Sequence, residues 1–241
     1  MSQRKTIIAF DLYGTLLSTE SIAKELAKSF GSDAAQPLAT QWRRYQLEYT
    51  WRINSMGMYH SFGAITRGAL QHAVAEAGLS LSEDDTDRLM KAYDVLHVFP
   101  EIPAALEAVK ANPLIEAYVF SNGTKDMVSA SVATSPDLQP YAGYFKGLVT
   151  VDAVQAFKPD AKTYNHLLQE VGKQGSAGDI WLITANPFDV VGAVAAGWRS
   201  AWIDRAGKGW VDRLGHVIGD IRPTVVVSGV DKAIEEIINR A

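Results

Sequence analysis

Cysteine is absent from this chain of 241 residues. That excludes disulfides, thiolate nucleophiles and cysteine-ligated metals. No apolar stretch reaches transmembrane length, and the first apolar run is too short for a signal peptide and ends on Asp11. The chain also lacks a basic tract, and its formal net charge is −4, so neither nucleic acid nor an anionic membrane is favoured as a partner. The five histidines, His60, His72, His97, His166 and His216, show no metal-ligand pairing such as HExxH. There is no GxGxxG fingerprint, no P-loop motif and no GxSxG elbow, so dinucleotide, P-loop and α/β-hydrolase readings lose support. The default expectation is a cytosolic, cytoplasmic protein.

What is present is a globular composition, 47% hydrophobic and 21% charged. The length suits one domain, or one domain with an insertion. The run Ile7-Ile8-Ala9-Phe10 reads as a buried strand, ended by Asp11 and a turn containing Gly14. Helical spacing then takes over: Ile22, Leu26 and Phe30; Leu38, Trp42, Leu47 and Trp51; Ile65, Ala69 and Val74; Leu89, Tyr93 and Leu96. It runs to about Val98 and is broken at Phe99-Pro100. From there strands and helices alternate. Strands are predicted at 116–120, 147–151, 180–183, 200–203 and 224–227, with helices at 104–110, from 125, at 161–171, at 187–196 and from 230. This predicts an α/β fold, a doubly wound Rossmann-like parallel sheet with an all-helical cap inserted after the first strand. The core domain would be 1–16 with 99–241, and the cap domain 17–98.

In such a sheet ligands sit at the carboxyl ends of the strands, so polar residues there are the candidates. Asp11 could be a nucleophile that forms an ester, or a carboxylate that caps a turn. Ser121-Asn122-Gly123 offers a hydroxyl and an amide, or is an ordinary turn. Lys158 could place an ammonium near two carboxylates, held out of the next helix by Pro159, or be a solvated loop charge beside Asp160 as N-cap. Asn186, Pro187 and Asp189 fit a helix start at N-cap, first position and first turn. Asn186 and Asp189 could equally orient a water beside Lys158. Arg43 lies among the aromatics of 42–51. It could reach a cleft and bind an anion, or sit on the solvated side of an amphipathic helix.

Taken in order, these segments resemble the haloacid dehalogenase superfamily and, within it, the L-2-haloacid dehalogenases. The resemblance rests on Phe10-Asp11-Leu12-Tyr13-Gly14-Thr15-Leu16, Trp42-Arg43 with Gln46-Leu47-Glu48-Tyr49-Thr50-Trp51, Phe120-Ser121-Asn122-Gly123, Lys158-Pro159-Asp160 with Tyr164, and Asn186 with Asp189. It spans 8–189 and continues weakly through Gly197 to Arg205. It implies hydrolysis of L-2-haloacids to D-2-hydroxyacids and halide through an aspartyl ester, with no metal and no cofactor. Asp11 would be the nucleophile, displacing halide with inversion, and Thr15 and Lys158 would orient it. Ser121, Tyr164 and the backbone amides of Leu12 and Tyr13 would hold the substrate carboxylate. Arg43 and Asn122 would receive the halide between the apolar walls Phe62 and Phe188. Asn186 and Asp189 would prepare the water that cleaves the ester, with Thr184 in support.

Thr184 and Ala185 stand where the resembled enzymes usually have serines, and Phe188 where tryptophan is common. These departures bear on substrate size and halide preference. A magnesium-dependent phosphatase on the same fold is one alternative, against which Tyr13 counts, since a second aspartate there would supply a metal ligand. A non-catalytic binding protein on the scaffold is the other. The implied partners are a small 2-haloacid and halide. The aromatic-rich insertion also suggests a homodimer, although those aromatics could be the insertion's own core.

Overall fold

The computed structural model describes residues 5–240; residues 1–4 and 241, the outermost parts of the expected core segments, lie outside it. Strand β1 (Thr6–Phe10) is a continuous apolar run paired on both sides, as a strand covered on both faces requires. Four helices follow it: α1 (Glu20–Phe30), α2 (Ser32–Ser55), α3 (Phe62–Glu76) and α4 (Glu83–Ala92). The chain then alternates through α5 (Ile102–Ala111), β2 (Ile115–Ser121), α6 (Lys125–Thr134), β3 (Phe145–Thr150), α7 (Ala161–Glu170), β4 (Ile180–Thr184), α8 (Pro187–Ala195), β5 (Arg199–Ile203), α9 (Leu214–Ile218), β6 (Val225–Val227) and α10 (Val230–Arg240). All pairings among the named strands are parallel, in the order β3-β2-β1-β4-β5-β6. The expected parallel sheet with a helical insertion after its first strand is the observed architecture.

Local chemistry sets most element starts. Ser61, Ser82 and Thr124 accept backbone N–H groups of Ala64, Asp85 and Met127 at the starts of α3, α4 and α6. Proline occupies the first turn of α5 and α8, where no N–H is needed. Helix α10 shows one buried stripe of Val230, Ala233, Ile234 and Ile237, at the spacing of a half-buried helix.

Three expectations shift. Strand β3 starts at Phe145 and stops at Thr150, because Val151 enters a 3₁₀ turn. Helix α9 was not expected at all; at five residues it is too short to leave a periodic signal. Most of the insertion's aromatics form its core, though Trp51 does not. Trp42 is fully buried, donates from Nε1 to the Thr66 carbonyl at 2.8 Å and packs edge-on against Tyr93, while Tyr45 stacks on His72. They therefore give no support to a homodimer.

The insertion leaves and rejoins the sheet through a narrow neck. Leu17 and Val98 form an antiparallel bridge, flanked by Ser18 N–H to the His97 carbonyl at 2.7 Å and Phe99 N–H to the Leu16 carbonyl at 3.2 Å.

Candidate active site

Phe10 is in register with Val119 of β2 and with Ile183 of β4. The residues at and just past the ends of these strands therefore open side by side: Asp11, Ser121 with Asn122, and Thr184 with Asn186. Strand order reverses here, between β1 and β4, which is where doubly wound sheets bind ligands. Lys158 arrives from the loop after β3 and crosses the end of β2, donating to the Phe120 carbonyl at 2.9 Å.

Asp11 is nearly buried, and its two oxygens have different surroundings. Oδ2 accepts from Thr15 Oγ1 at 2.7 Å, Asn186 Nδ2 at 2.7 Å and Thr184 Oγ1 at 3.2 Å. Oδ1 accepts from Lys158 Nζ at 3.1 Å. Thr15 is itself fixed by the Ala185 N–H, which donates to its Oγ1 at 3.0 Å. Behind the loop, Arg205 donates to the Thr15 carbonyl at 2.8 Å and to Glu101 at 2.6 Å, bracing the turn that carries Asp11.

Lys158 is only 1% exposed. Its three ammonium protons meet three acceptors: Asp11 Oδ1, the Phe120 carbonyl and, at 2.6 Å, Asp189 Oδ2. Burial lowers its pKa, but the charges of Asp11 and Asp189 outweigh it and the net shift is upward, so the ammonium stays charged. Burial pushes the Asp189 carboxyl up to about 6 against the pull of Lys158. The Tyr164 hydroxyl, raised by burial and by Asp189, remains a donor and reaches Asp189 Oδ1 at 2.8 Å. Helix α8 makes room for that contact at Gly192, since a Cβ there would overlap the Tyr164 hydroxyl.

A small, nearly closed cavity of about 10 Å³ lies over Asp11. Ser121, Asn122, Lys158 and Asn186 line it from the sheet side, and Phe62 and Phe188 form apolar walls. Ser121 Oγ accepts from the Gly123 N–H at 3.1 Å, which leaves its proton for a ligand. Asn122 Oδ1 accepts from the Lys158 N–H at 2.9 Å, so the amide Nδ2 is its remaining donor.

The roof comes from one stripe of α2. Arg43 and Leu47 line the cavity. Trp51 packs edge-on against Phe188, with centroids 5.3 Å apart. Asn54 grips the backbone beside Lys158 twice: Nδ2 donates to the Phe157 carbonyl at 2.7 Å, and Phe157 N–H donates to Oδ1 at 3.0 Å. Steps of four, four and three residues keep all four on one helical face. Arg43 donates to three neutral oxygens: Gln46 Oε1 at 2.5 Å, the Tyr13 carbonyl at 3.3 Å and Asn186 Oδ1 at 3.5 Å. Its guanidinium is thus positioned by dipoles and keeps its charge for an anion. Arg44 is exposed.

Most of the expected site residues meet here, with corrections of place. Tyr164 is not at the substrate cavity; it is fully buried behind Asp189. Asp189 also lies outside the lining, with one oxygen on Lys158 and the other on Tyr164. Asn186 holds the N-cap position of α8, but its side chain makes no capping bond and turns to Asp11 instead. The Tyr13 ring lines the cavity and stacks on Phe62, while its hydroxyl is 3.0 Å from Ser131 Oγ. Leu12 builds the turn, its carbonyl accepting from Thr15, Leu16 and Leu17. Sequence reasoning did not select Leu47, Gln46, Asn54 or Gly192 for the site. The four-residue step from Arg43 was the available signal for Leu47.

Fold and site together define a class: a parallel-sheet enzyme in which a strand-end carboxylate, surrounded by hydrogen-bond donors, works beneath a helical roof. A family model for haloacid dehalogenase-like hydrolases matches residues 5–197, and the chain belongs to that family. It is 34% identical over 204 residues to the (S)-2-haloacid dehalogenase of Pseudomonas sp. (strain YL), covering 83% of each chain. It is 33% identical over 212 residues to haloacetate dehalogenase H-2 of Moraxella sp. (strain B), covering 87% of this chain and 89% of that one. The solved structure of L-2-haloacid dehalogenase from Xanthobacter autotrophicus with chloropropionic acid covalently bound superposes with a TM-score of 0.85 at 25% identity, covering 98% of this chain and all of that one.

Proposed function

We propose that this protein is an (S)-2-haloacid dehalogenase, converting L-2-haloacids to D-2-hydroxyacids and halide through an ester on Asp11. The observation that carries this reading is the asymmetry of Asp11. Oδ2 is occupied by three donors, whereas Oδ1 faces Lys158 across the cavity wall and keeps lone pairs for attack. Oδ1 bonds to the α-carbon as the carbon–halogen bond breaks, and the halide takes the bonding pair. Water then adds to the Asp11 carboxyl carbon. Charge develops on Oδ2, where Thr15, Thr184 and Asn186 already point their donors. Collapse restores Asp11 and frees the hydroxyacid and one proton. Asp189 acts through Lys158, fixing the ammonium beside Oδ1. Ser121 serves the substrate carboxylate, and Arg43 with Asn122 serves the halide. Residues 17–98 form the cap and the remainder the core. Halide release from haloacetates and both 2-chloropropionate enantiomers tests the reading: the S form should be consumed and the R form left.

Arg43→Ala and Arg43→Lys are both expected to slow ester formation far more than Arg44→Ala, by roughly a hundredfold if the guanidinium stabilises the departing anion. A compact, strongly hydrated ammonium suits a large halide poorly. Single-turnover kinetics would decide; a crippled Arg44 variant beside a normal Arg43 variant would place the halide elsewhere.

Chelation is expected to leave turnover unchanged. The side chains facing Asp11 are donors: two hydroxyls, an amide N–H₂ and an ammonium. A magnesium ion needs oxygen lone pairs at those positions. Loss of halide release in EDTA, restored by Mg²⁺, would favour the phosphatase-like alternative.

A further inference from the structure

Phe188 is shared by two cavities. It closes one side of the small cavity over Asp11, and it also lines a larger cleft of about 600 Å³ with Trp51, Pro159, Leu214, Asp160 and Asp212. We propose that this cleft binds the hydrocarbon chain of longer 2-haloalkanoates, with the Trp51–Phe188 ring pair as a movable partition. The proposal rests on the dehalogenase reading above and concerns which acids that site accepts.

Three observations support it. Trp51 and Leu214 line the cleft while 40% and 51% exposed, so large apolar groups there remain open to a ligand. Trp51 belongs to the helical insertion and Phe188 to the sheet portion, and they meet only edge to face. The partition can part without breaking the backbone of either. Charge then sorts the ends of a bound acid. The inner cavity sets Arg43, Lys158 and the Ser121 hydroxyl around the carboxylate Asp11, whereas the cleft is lined by the carboxylates Asp160 and Asp212 and by no cationic side chain. An acid group is repelled from the cleft and attracted inward, while an alkyl chain has no such preference and gains from apolar cover. The inner cavity has no room for an alkyl chain; a longer chain needs an apolar exit, and Phe188 gives directly onto one.

Bromide release from 2-bromopropionate and 2-bromooctanoate tests this. Wild type is expected to turn over both. Leu214→Glu, at a half-exposed position away from Asp11, should lower kcat/KM for 2-bromooctanoate about tenfold and leave 2-bromopropionate within about twofold. Phe188→Ala should raise the octanoate-to-propionate ratio of kcat/KM about tenfold. Equal losses on both substrates in Leu214→Glu, or an unchanged ratio in Phe188→Ala, would overturn the assignment. No bromide from 2-bromopropionate in wild type would instead sink the dehalogenase reading, and the cleft assignment with it.

Discussion

Asp11→Asn is expected to remove turnover, by on the order of 10⁴-fold or more, because the amide oxygen is a poor nucleophile. The fold should survive. The amide has nearly the shape of the carboxylate, and Lys158 keeps the Phe120 carbonyl and Asp189. The expected cost is about 1–3 kcal/mol, because the amide N–H₂ must face at least one of the donors that now converge on Asp11. Denaturant titration beside the activity assay separates the two effects. Single turnover of wild type in ¹⁸O water supplies the mechanistic check. Water adds to the ester carbonyl, so label belongs in the Asp11 peptide after one turnover; label appearing first in the hydroxyacid would exclude the ester.

Lys158→Met is expected to remove both activity and stability, which distinguishes it from Asp11→Asn. The ammonium stands between two buried carboxylates. Deleting it leaves them uncompensated at a cost of about 3–5 kcal/mol. The pH dependence has a definite sign. The Asp189 carboxyl lies at about 6 with Lys158 present, above its ordinary 3.8, and should rise further without it. Between the ordinary and the raised value the folded protein holds more protons than the unfolded chain, so stability falls as pH rises through that window and stays low above it. Unfolding free energies should therefore converge with wild type in acid and diverge at neutral pH. A pH-independent deficit would mean that lost packing of the lysine stem, not stranded charge, causes the damage.

Much of the site could be read in the sequence because its residues come from strand ends. A buried run that stops on Asp11 marks a sheet edge, and so do Phe120-Ser121-Asn122 and Thr184-Ala185-Asn186. The family resemblance linked these segments and gave the chemistry. Local sequence alone could not decide between two readings of Lys158, 147 residues away in sequence from Asp11, since a solvated loop lysine has the same local sequence as a buried one; the resemblance favoured the active-site reading. Burial and three acceptors decide it. Asn186 was equally ambiguous, because an N-cap and a ligand to Asp11 prefer the same residue type. Asp189 does lie beside Lys158, but the depth of Asp189 and of Tyr164 behind the cavity was not legible: sequence gives a polar residue no depth behind the cavity wall. Leu47, Asn54 and the cleft beyond Phe188 depend on how the insertion lies over the sheet, a tertiary relation with no local signature.

The roof of the site also bears on which length changes the chain can tolerate. Arg43, Trp51 and Asn54 reach three separate partners in the sheet portion from one helix, and Leu47 on the same face lines the cavity. Their alignment depends on the phase of α2 alone. Deleting or inserting a single residue between Arg43 and Asn54 turns one end of the stripe about 100° relative to the other, so Arg43 and the Phe157 grip can no longer face the sheet together. The same change in the segment between α3 and α4 alters only a connection at the surface. Among relatives that keep this roof, length variation should gather in the connections between the insertion's helices and avoid the eleven steps from Arg43 to Asn54.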